Sequence, residues 1–389
     1  MSIVVLVIGV VLFIGLVVAH EYGHFILARR NGVEVEEFGL FFPPKLYGHK
    51  TKAGWLFSIN ALPLGGFVKL KGEHDSDHEP GTFGAASTWV KSKIMAAGVL
   101  MNLATALVLF TILALVGLPK LVPNQFTVKT DTQLVSQRVL IGYVEPGSPA
   151  ARAGLQPEDE ITDISLPGYS PVGVNNADKL PGITKAFAGK TVDVFYVRAG
   201  HEHQARLTLL SVKTVTASQK TNNPKGYLGI SPTQLTIQRS TWSAPVTAVG
   251  LTAQVTALTL QGLWHALAGL GSLIAGAVTG NHVARENGQT TATAQVAGPV
   301  GIFVIMKNGS LLGYQFMLFI IAIISLTLAI MNILPVPALD GGRLWLMLAS
   351  RLMKKPLSAK REEAINAAGF ALLVGLLVLI TIVDVKRSF

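Results

Sequence analysis

The stretch 2–28 reads SIVVLVIGVVLFIGLVVAHEYGHFILA, and its last third decides the architecture. From Ser2 to Ala19 it carries no charge, and then His20-Glu21-Tyr22-Gly23-His24 arrives inside the same apolar run. About 20 such residues cross a bilayer as a helix, so the stretch reads as a membrane span. Two imidazoles four residues apart on a helix share one face, and the carboxylate next to the first lies beside them. That is the geometry for holding a zinc ion and a water, with Glu21 as the base for that water. Ionisable groups at membrane depth are costly, so a chain that keeps them there uses them. With 9 His and 22 acidic residues in 389, composition alone yields His-Glu-x-x-His in roughly one such chain in a hundred. Cleaving the stretch off as a signal peptide would discard the motif, and no basic residue precedes it, so it is read as retained.

Composition agrees with a membrane class. Half of the residues are hydrophobic, 14% are charged and mean hydropathy is +0.48, against about a quarter charged in a soluble globule. With no cysteine, disulfides and thiolate metal sites are excluded. The net charge of +10 comes without any basic block of five residues and gathers beside apolar segments, which points to membrane topology and not to nucleic acid.

The fold class expected is an α-helical polytopic membrane protein of about four transmembrane helices, with an inserted mixed α/β domain and a short membrane-associated β-hairpin. The spans are 1–29, 94–118, 315–350, which must break at Pro335 and Pro337, and 364–384. Lys and Arg crowd the loop 30–93 and the loop between the last two spans, so both are assigned to the cytoplasmic side and the long middle segment to the outside. Ser240 to Val278 is long and apolar but carries Thr, Gln, Gly and His265, which favours a helix lying along the outer membrane interface over a fifth span, and 240–312 is read as an interfacial amphipathic helical region. Within the loop, Phe57-Ser58-Ile59-Asn60 and Phe67-Val68-Lys69-Leu70 flank Pro63-Leu64-Gly65-Gly66 and predict a hairpin over 55–70. A polypeptide ligand unwound at membrane depth bares backbone that needs partners. A strand edge formed by Phe57, Ser58, Ile59, Asn60, Gly65 and Gly66 would supply them.

Residues 127–232 hold a short strand, Leu140–Val144, then Glu145-Pro146-Gly147-Ser148-Pro149-Ala150, Ala151-Arg152-Ala153-Gly154-Leu155 and Gln156-Pro157-Glu158-Asp159. This run is similar to that of the PDZ domains of bacterial proteases, which implies an extracytoplasmic domain that takes an extended peptide onto a sheet edge.

A catalytic zinc site needs a third protein ligand, and Asp340 in Leu339-Asp340-Gly341-Gly342 lies where the third span breaks. Zinc at +2 with the carboxylates of Glu21 and Asp340 sums to zero, which makes burial tolerable. Asn332 precedes Asp340 by eight residues. Its amide can hold substrate backbone or a developing oxyanion, or it can hydrogen-bond a neighbouring helix. His74 and His78 belong to an acidic loop read as solvated, and His201 and His203 to an exposed strand turn.

Together these motifs resemble the site-2 protease family of zinc intramembrane proteases, in the bacterial branch that includes the regulator of sigma-E protease. The resemblance runs through His20–His24, Pro63–Lys69, the middle domain, Gly298-Pro299-Val300-Gly301, Met331-Asn332-Ile333-Leu334-Pro335 and Leu339–Gly342. It implies His20, His24 and Asp340 as Zn2+ ligands, Glu21 as catalytic base and Asn332 as an aid to substrate. It also implies a bacterial cytoplasmic membrane protein, in contact with lipid and not with nucleic acid. Its substrates would be single-span membrane proteins of the anti-sigma-factor or leftover-signal-peptide kind. Two departures stand out: one such middle domain where the sigma-E regulator has two, and Val99 after Ala97-Gly98 where the family favours proline. A non-catalytic PDZ scaffold is the competing class. An ion transporter would favour repeated spans, and none is seen.

Overall fold

The computed structural model describes residues 2–73, 77–221, 224–283, 298–310, 312–354 and 358–388. Helix α1 (Ser2–Arg30) leads into strands β1 (Val35–Lys50) and β2 (Leu56–Leu70) and helix α2 (Thr88–Val116). There follow β3 (Leu118–Pro119), β4 (Gln133–Val144), α3 (Pro149–Arg152), β5 (Glu160–Ser165), β6 (Val172–Gly173) and α4 (Leu180–Ala186). Strands β7 (Thr191–Arg198) and β8 (His201–Thr208), helix α5 (Val212–Ser218) and β9 (Ile230–Arg239) complete that region. The rest is helical: α6 (Ala244–Thr279), α7 (Pro299–Gly309), α8 (Tyr314–Ile333), α9 (Asp340–Leu352) and α10 (Ala359–Ser388). The chain divides into a helical unit (Leu6–Phe110, Ala248–Asn308, Met317–Phe389) and a sheet unit (Met1–Val5, Thr111–Thr247, Gly309–Phe316).

Five helices, α1, α2, α6, α8 and α10, are long and apolar enough to cross a bilayer, which makes this a multi-pass membrane protein. The sequence predicts about four. The fifth is α6, a single helix of 36 residues where an interfacial region is expected.

In the helical unit small residues let backbones approach, as they do between helices in lipid. A Cβ on Gly23 of α1 would sit 2.8 Å from the Ala97 carbonyl oxygen of α2. Gly9 of α1 is filled by Met317 of α8, and Phe110 of α2 packs on Phe319 of α8 with ring centroids 5.8 Å apart. One turn and more further along, Ser325 of α8 donates to the Asn102 carbonyl of α2 at 2.8 Å. Gly9, Phe110 and Met317 therefore share one level, so α8 runs in the direction of α1 and against α2.

Strands β1 and β2 form their own sheet, and it is not the hairpin that the sequence predicts. Phe57–Asn60 and Phe67–Leu70 do not pair with each other; both pair with the Phe38–Leu40 stretch of β1, Phe38 standing opposite Phe57 and Val68, and Leu40 opposite Ile59 and Gly66. The other flank of Phe57–Asn60 is taken by Lys45–His49, with Tyr47 opposite Ile59 and Gly48 opposite Ser58. Asn60 is buried and its amide donates to the Leu40 and Phe41 carbonyls, fastening the bend in β1. Gly66–Leu70 has β1 on one side only and is the edge of this sheet.

Between α8 and α9 the chain turns sharply. Pro335 and Pro337 cannot continue a helix, and Ala338 adopts φ 71°. The turn folds down on the first residues of α9: a Cβ on Gly342 would strike the Val336 carbonyl, and one on Gly341 the Ile333 carbonyl. Only glycines fit there, and they seat Asp340 at the first position of α9.

The sheet unit is built on a seven-stranded sheet, ordered β3-β9-β4-β5-β7-β8 with β6 on β5. Val139, Ile141, Ile161, Ile164, Val192 and Val194 alternate inward to its core. Arg198 clasps the buried Asp159 with two bonds, at 2.6 and 2.7 Å. Arg206 does the same to Asp193 and holds that carboxyl below its ordinary range, against a smaller opposing effect of burial. His201 and His203 are exposed on β8, and His203 stacks on Tyr196.

Candidate metal centre

The break before α9 brings Asp340 to the last turns of α1, across 316 residues of chain. His20 Nε2 and His24 Nε2 each lie 3.1 Å from Asp340 Oδ2 and 3.3 Å from each other. Among the described residues this is the one group of three or more His, Asp or Glu side chains with such convergence. Tetrahedral zinc with bonds of about 2.0–2.1 Å places neighbouring ligand atoms about 3.3 Å apart, so the triangle has the right size.

Hydrogen bonding on the far side of the rings says what the near side needs. His24 Nδ1–H donates to the Ile94 carbonyl oxygen at 2.7 Å, which leaves Nε2 with a lone pair. His20 Nδ1 lies 3.1 Å from the Asn102 amide, whose Oδ1 is buried and has no partner among the described residues. The two ends of an amide are alike in shape, and turning this one over sets the orphaned oxygen to accept the His20 Nδ1 proton. Two imidazole lone pairs and a carboxylate oxygen then face one point with no donor among them. Three acceptors so placed repel unless a cation sits between them, and two nitrogens with one oxygen suit zinc.

The walls of the site follow from close approach. Gly98 of α2 lies flat against both imidazoles, and any Cβ there would collide with them. Gly66 on the sheet edge lies against Glu21, where a Cβ would be 3.0 Å from Glu21 Cγ. A cavity of about 520 Å³ opens here, lined by His20, Glu21, Gly66, Asn102, Asn332 and Asp340 among others. Asn332 is half-buried on that wall. Gly65 lines the cavity as well. Phe57, Ser58, Ile59 and Asn60 do not: the first three are paired on both flanks, and Asn60 pairs with Lys45 while its amide is spent on the Leu40 and Phe41 carbonyls, which corrects their expected substrate-binding role. His74 lies outside the described residues, and His78 is exposed.

Asn102, Gly98 and the Ile94 carbonyl are absent from the sequence-based site. Asn102 had a signal, since it is the one amide in the uncharged stretch 94–118, whereas a backbone carbonyl leaves none.

A model of the family described as Peptidase family M50 matches residues 8–376. A Clostridium perfringens protein named as a zinc metalloprotease is 29% identical over 376 residues, 96% of either chain. One from Clostridium acetobutylicum is 30% identical over 398 residues, covering 99% of this chain and 98% of its own. A protein of Enterococcus faecalis, named as the protease eep, is 24% identical over 462 residues and 98% of both.

Proposed function

Because the chain belongs to peptidase family M50 and is a zinc metalloprotease, we propose that it cuts peptide bonds within the membrane, in the transmembrane segments of single-span proteins. The observation that carries this reading is that two of the three convergent donor atoms stand on α1, long enough to cross a bilayer, and the third opens α9 just past the break that ends a second such helix, α8. His20 follows the uncharged turns from Ser2 to Ala19, about 27 Å of helix.

His20, His24 and Asp340 would hold the zinc, with Asn102 and the Ile94 carbonyl fixing the tautomers of the two rings. Bound zinc supplies Lewis acidity toward a substrate carbonyl and acidifies a water. Glu21, on the cavity wall beside the histidines, takes the proton from the attacking water and returns it to the leaving amine. Gly66–Leu70 accepts the unwound substrate as an added strand. It supplies the hydrogen-bond partners that lipid cannot, and Gly66 brings the added chain alongside Glu21. Asn332, which also lines the cavity, donates to substrate backbone.

The same packing supports an orientation. Arg29, Arg30 and the lysines of the loop after them mark the cytoplasmic side, so α1 starts outside the cytoplasmic membrane of a bacterium. Phe110 and Met317 share the level of Gly9, so the chain between them must return to the side it left. A lone crossing by α6 would break that rule. Among the described residues the longest helix between α6 and α8 is α7, whose 11 residues, about 16 Å, are too short to undo it. Helix α6 therefore lies along the outer interface and the sheet unit is outside.

In the sheet unit, the loop Gly226-Tyr227-Leu228-Gly229 leads into β9, with the Leu228 carbonyl accepting from Ala150 N–H and the Gly229 carbonyl from Glu145 N–H. Strand β9 pairs with β4 along its length, whereas on the other side β3 covers Ile237 and Gln238, Lys120 N–H bonds to the Thr236 carbonyl, and among the described residues no strand pairs with Ser231–Leu235. That free edge supports a PDZ-like domain taking an extended peptide over Ser231–Leu235. A photo-crosslinking peptide added outside intact spheroplasts should label β9. Labelling only after the membrane is breached would refute the orientation, and labelling elsewhere the groove.

The central test uses purified protein and a single-span model substrate. Glu21→Gln should keep its zinc and lose at least about 1,000-fold in cleavage rate. Equal rates in the two proteins, or no cleavage by the wild type across several substrates, would refute the reading.

A further inference from the structure

The open edge of the β1–β2 sheet has a closed end. Lys71 N–H bonds to the Glu34 carbonyl at 3.0 Å, on the β1 side. Successive backbone groups of a strand face alternate edges, so the Leu70 N–H must face away from β1, and there Glu73 Oε1 accepts it at 3.0 Å. The bulge in this pairing lies in β1, between Val35 and Glu37, so alternation along Gly66–Leu70 is unbroken. The N–H groups of Val68 and Gly66 face outward in the same row.

Glu73 is held from the other side by α9. Its Oε2 lies 3.3 Å from Arg343 Nη1, its carbonyl accepts from Nη2 at 3.5 Å, and the guanidinium stands over Phe83, 5.9 Å from the ring centre. Arg343 follows Asp340 by three residues, and both Arg343 and Glu73 line the cavity that contains His20 and Glu21. One carboxylate thus ties the end of the edge strand to the helix that carries the third donor.

Resting on the reading of this edge as the substrate's partner, we infer that Glu73 is a register stop, fixed by Arg343, that decides which peptide bond is cut. Its carboxylate fills the place where the carbonyl of an added strand would meet Leu70. An incoming chain is therefore left the Val68 and Gly66 slots, and Gly66 is the one beside Glu21. Without the stop the added strand can slide toward Leu70. The slide comes in steps of two residues, because a step of one would turn every side chain to the opposite face.

The experiment maps cleavage positions by mass spectrometry of the products from one single-span substrate, with zinc content measured on every protein. Wild type should cut one bond. Glu73→Ala should add a product displaced by two residues, raised about tenfold or more over its wild-type trace, as expected when a hydrogen bond to a charged group is removed. Glu73→Gln retains an acceptor for Leu70 and should restore the single bond. Should Glu73→Ala fail to fold, Glu73→Ser, which is also too short to reach the strand, gives the same reading. An active, zinc-loaded variant that cuts only the original bond overturns the stop, whatever its rate. Absence of cleavage by the wild type would instead sink the intramembrane reading itself, so the two failures are distinct.

Discussion

At His20 the two ring nitrogens have different tasks: Nε2 faces Asp340, and Nδ1 rests on the amide of Asn102. The amide sets the tautomer, so removing it leaves the imidazole free to turn its proton toward the metal position. Asn102→Ala should weaken zinc binding by about 10–100-fold, read by competition with a chelator, while Asn102→Asp, which keeps an acceptor, should recover most of it. Unchanged affinity in Asn102→Ala would remove the residue from the site. Much of the centre is legible as single residues. His20 and His24 share a helix face by their spacing, and Asp340 is marked by its place between prolines and glycines in an apolar run. What supports them is harder to read. Gly98 looks like any small residue in a span until its contact with both imidazoles is known.

Strand β2 illustrates how an element misleads. Pro-Leu-Gly-Gly between two apolar runs has the composition of a turn, yet here it lies inside one strand, and the partner of both runs is β1. Strand β1 itself, Val35–Lys50, carries Gly39, Pro43 and Pro44 and has no strand signature of its own. Pairing across that separation is a long-range choice that local pattern does not contain. The outcome divides the two apolar runs by consequence. Proline at Val68 deletes an N–H that faces away from β1, so pairing survives while the added strand loses a donor. Val68→Pro should keep its zinc and cut about tenfold more slowly. Ser58→Pro, with both flanks paired, should instead disrupt the sheet and yield little folded protein. Normal turnover in Val68→Pro would show that substrate does not bind along this edge.

Across the entire chain, uninterrupted apolar runs mark α1, α2, α8 and α10 plainly. Helix α6 is where hydropathy stops being decisive, since length and composition allow a crossing and only the levels of Gly9, Phe110 and Met317 argue against one. Those levels come from side-chain packing between remote segments, which no window of sequence contains. The distance along the chain from His24 to Asp340 has a further consequence during synthesis. A polypeptide still emerging from the ribosome, or truncated before residue 340, possesses two of the three donors and no finished pocket around them. Peptide-bond hydrolysis must therefore await insertion of nearly the full length, and unfinished copies pose no hazard to their neighbours in the bilayer.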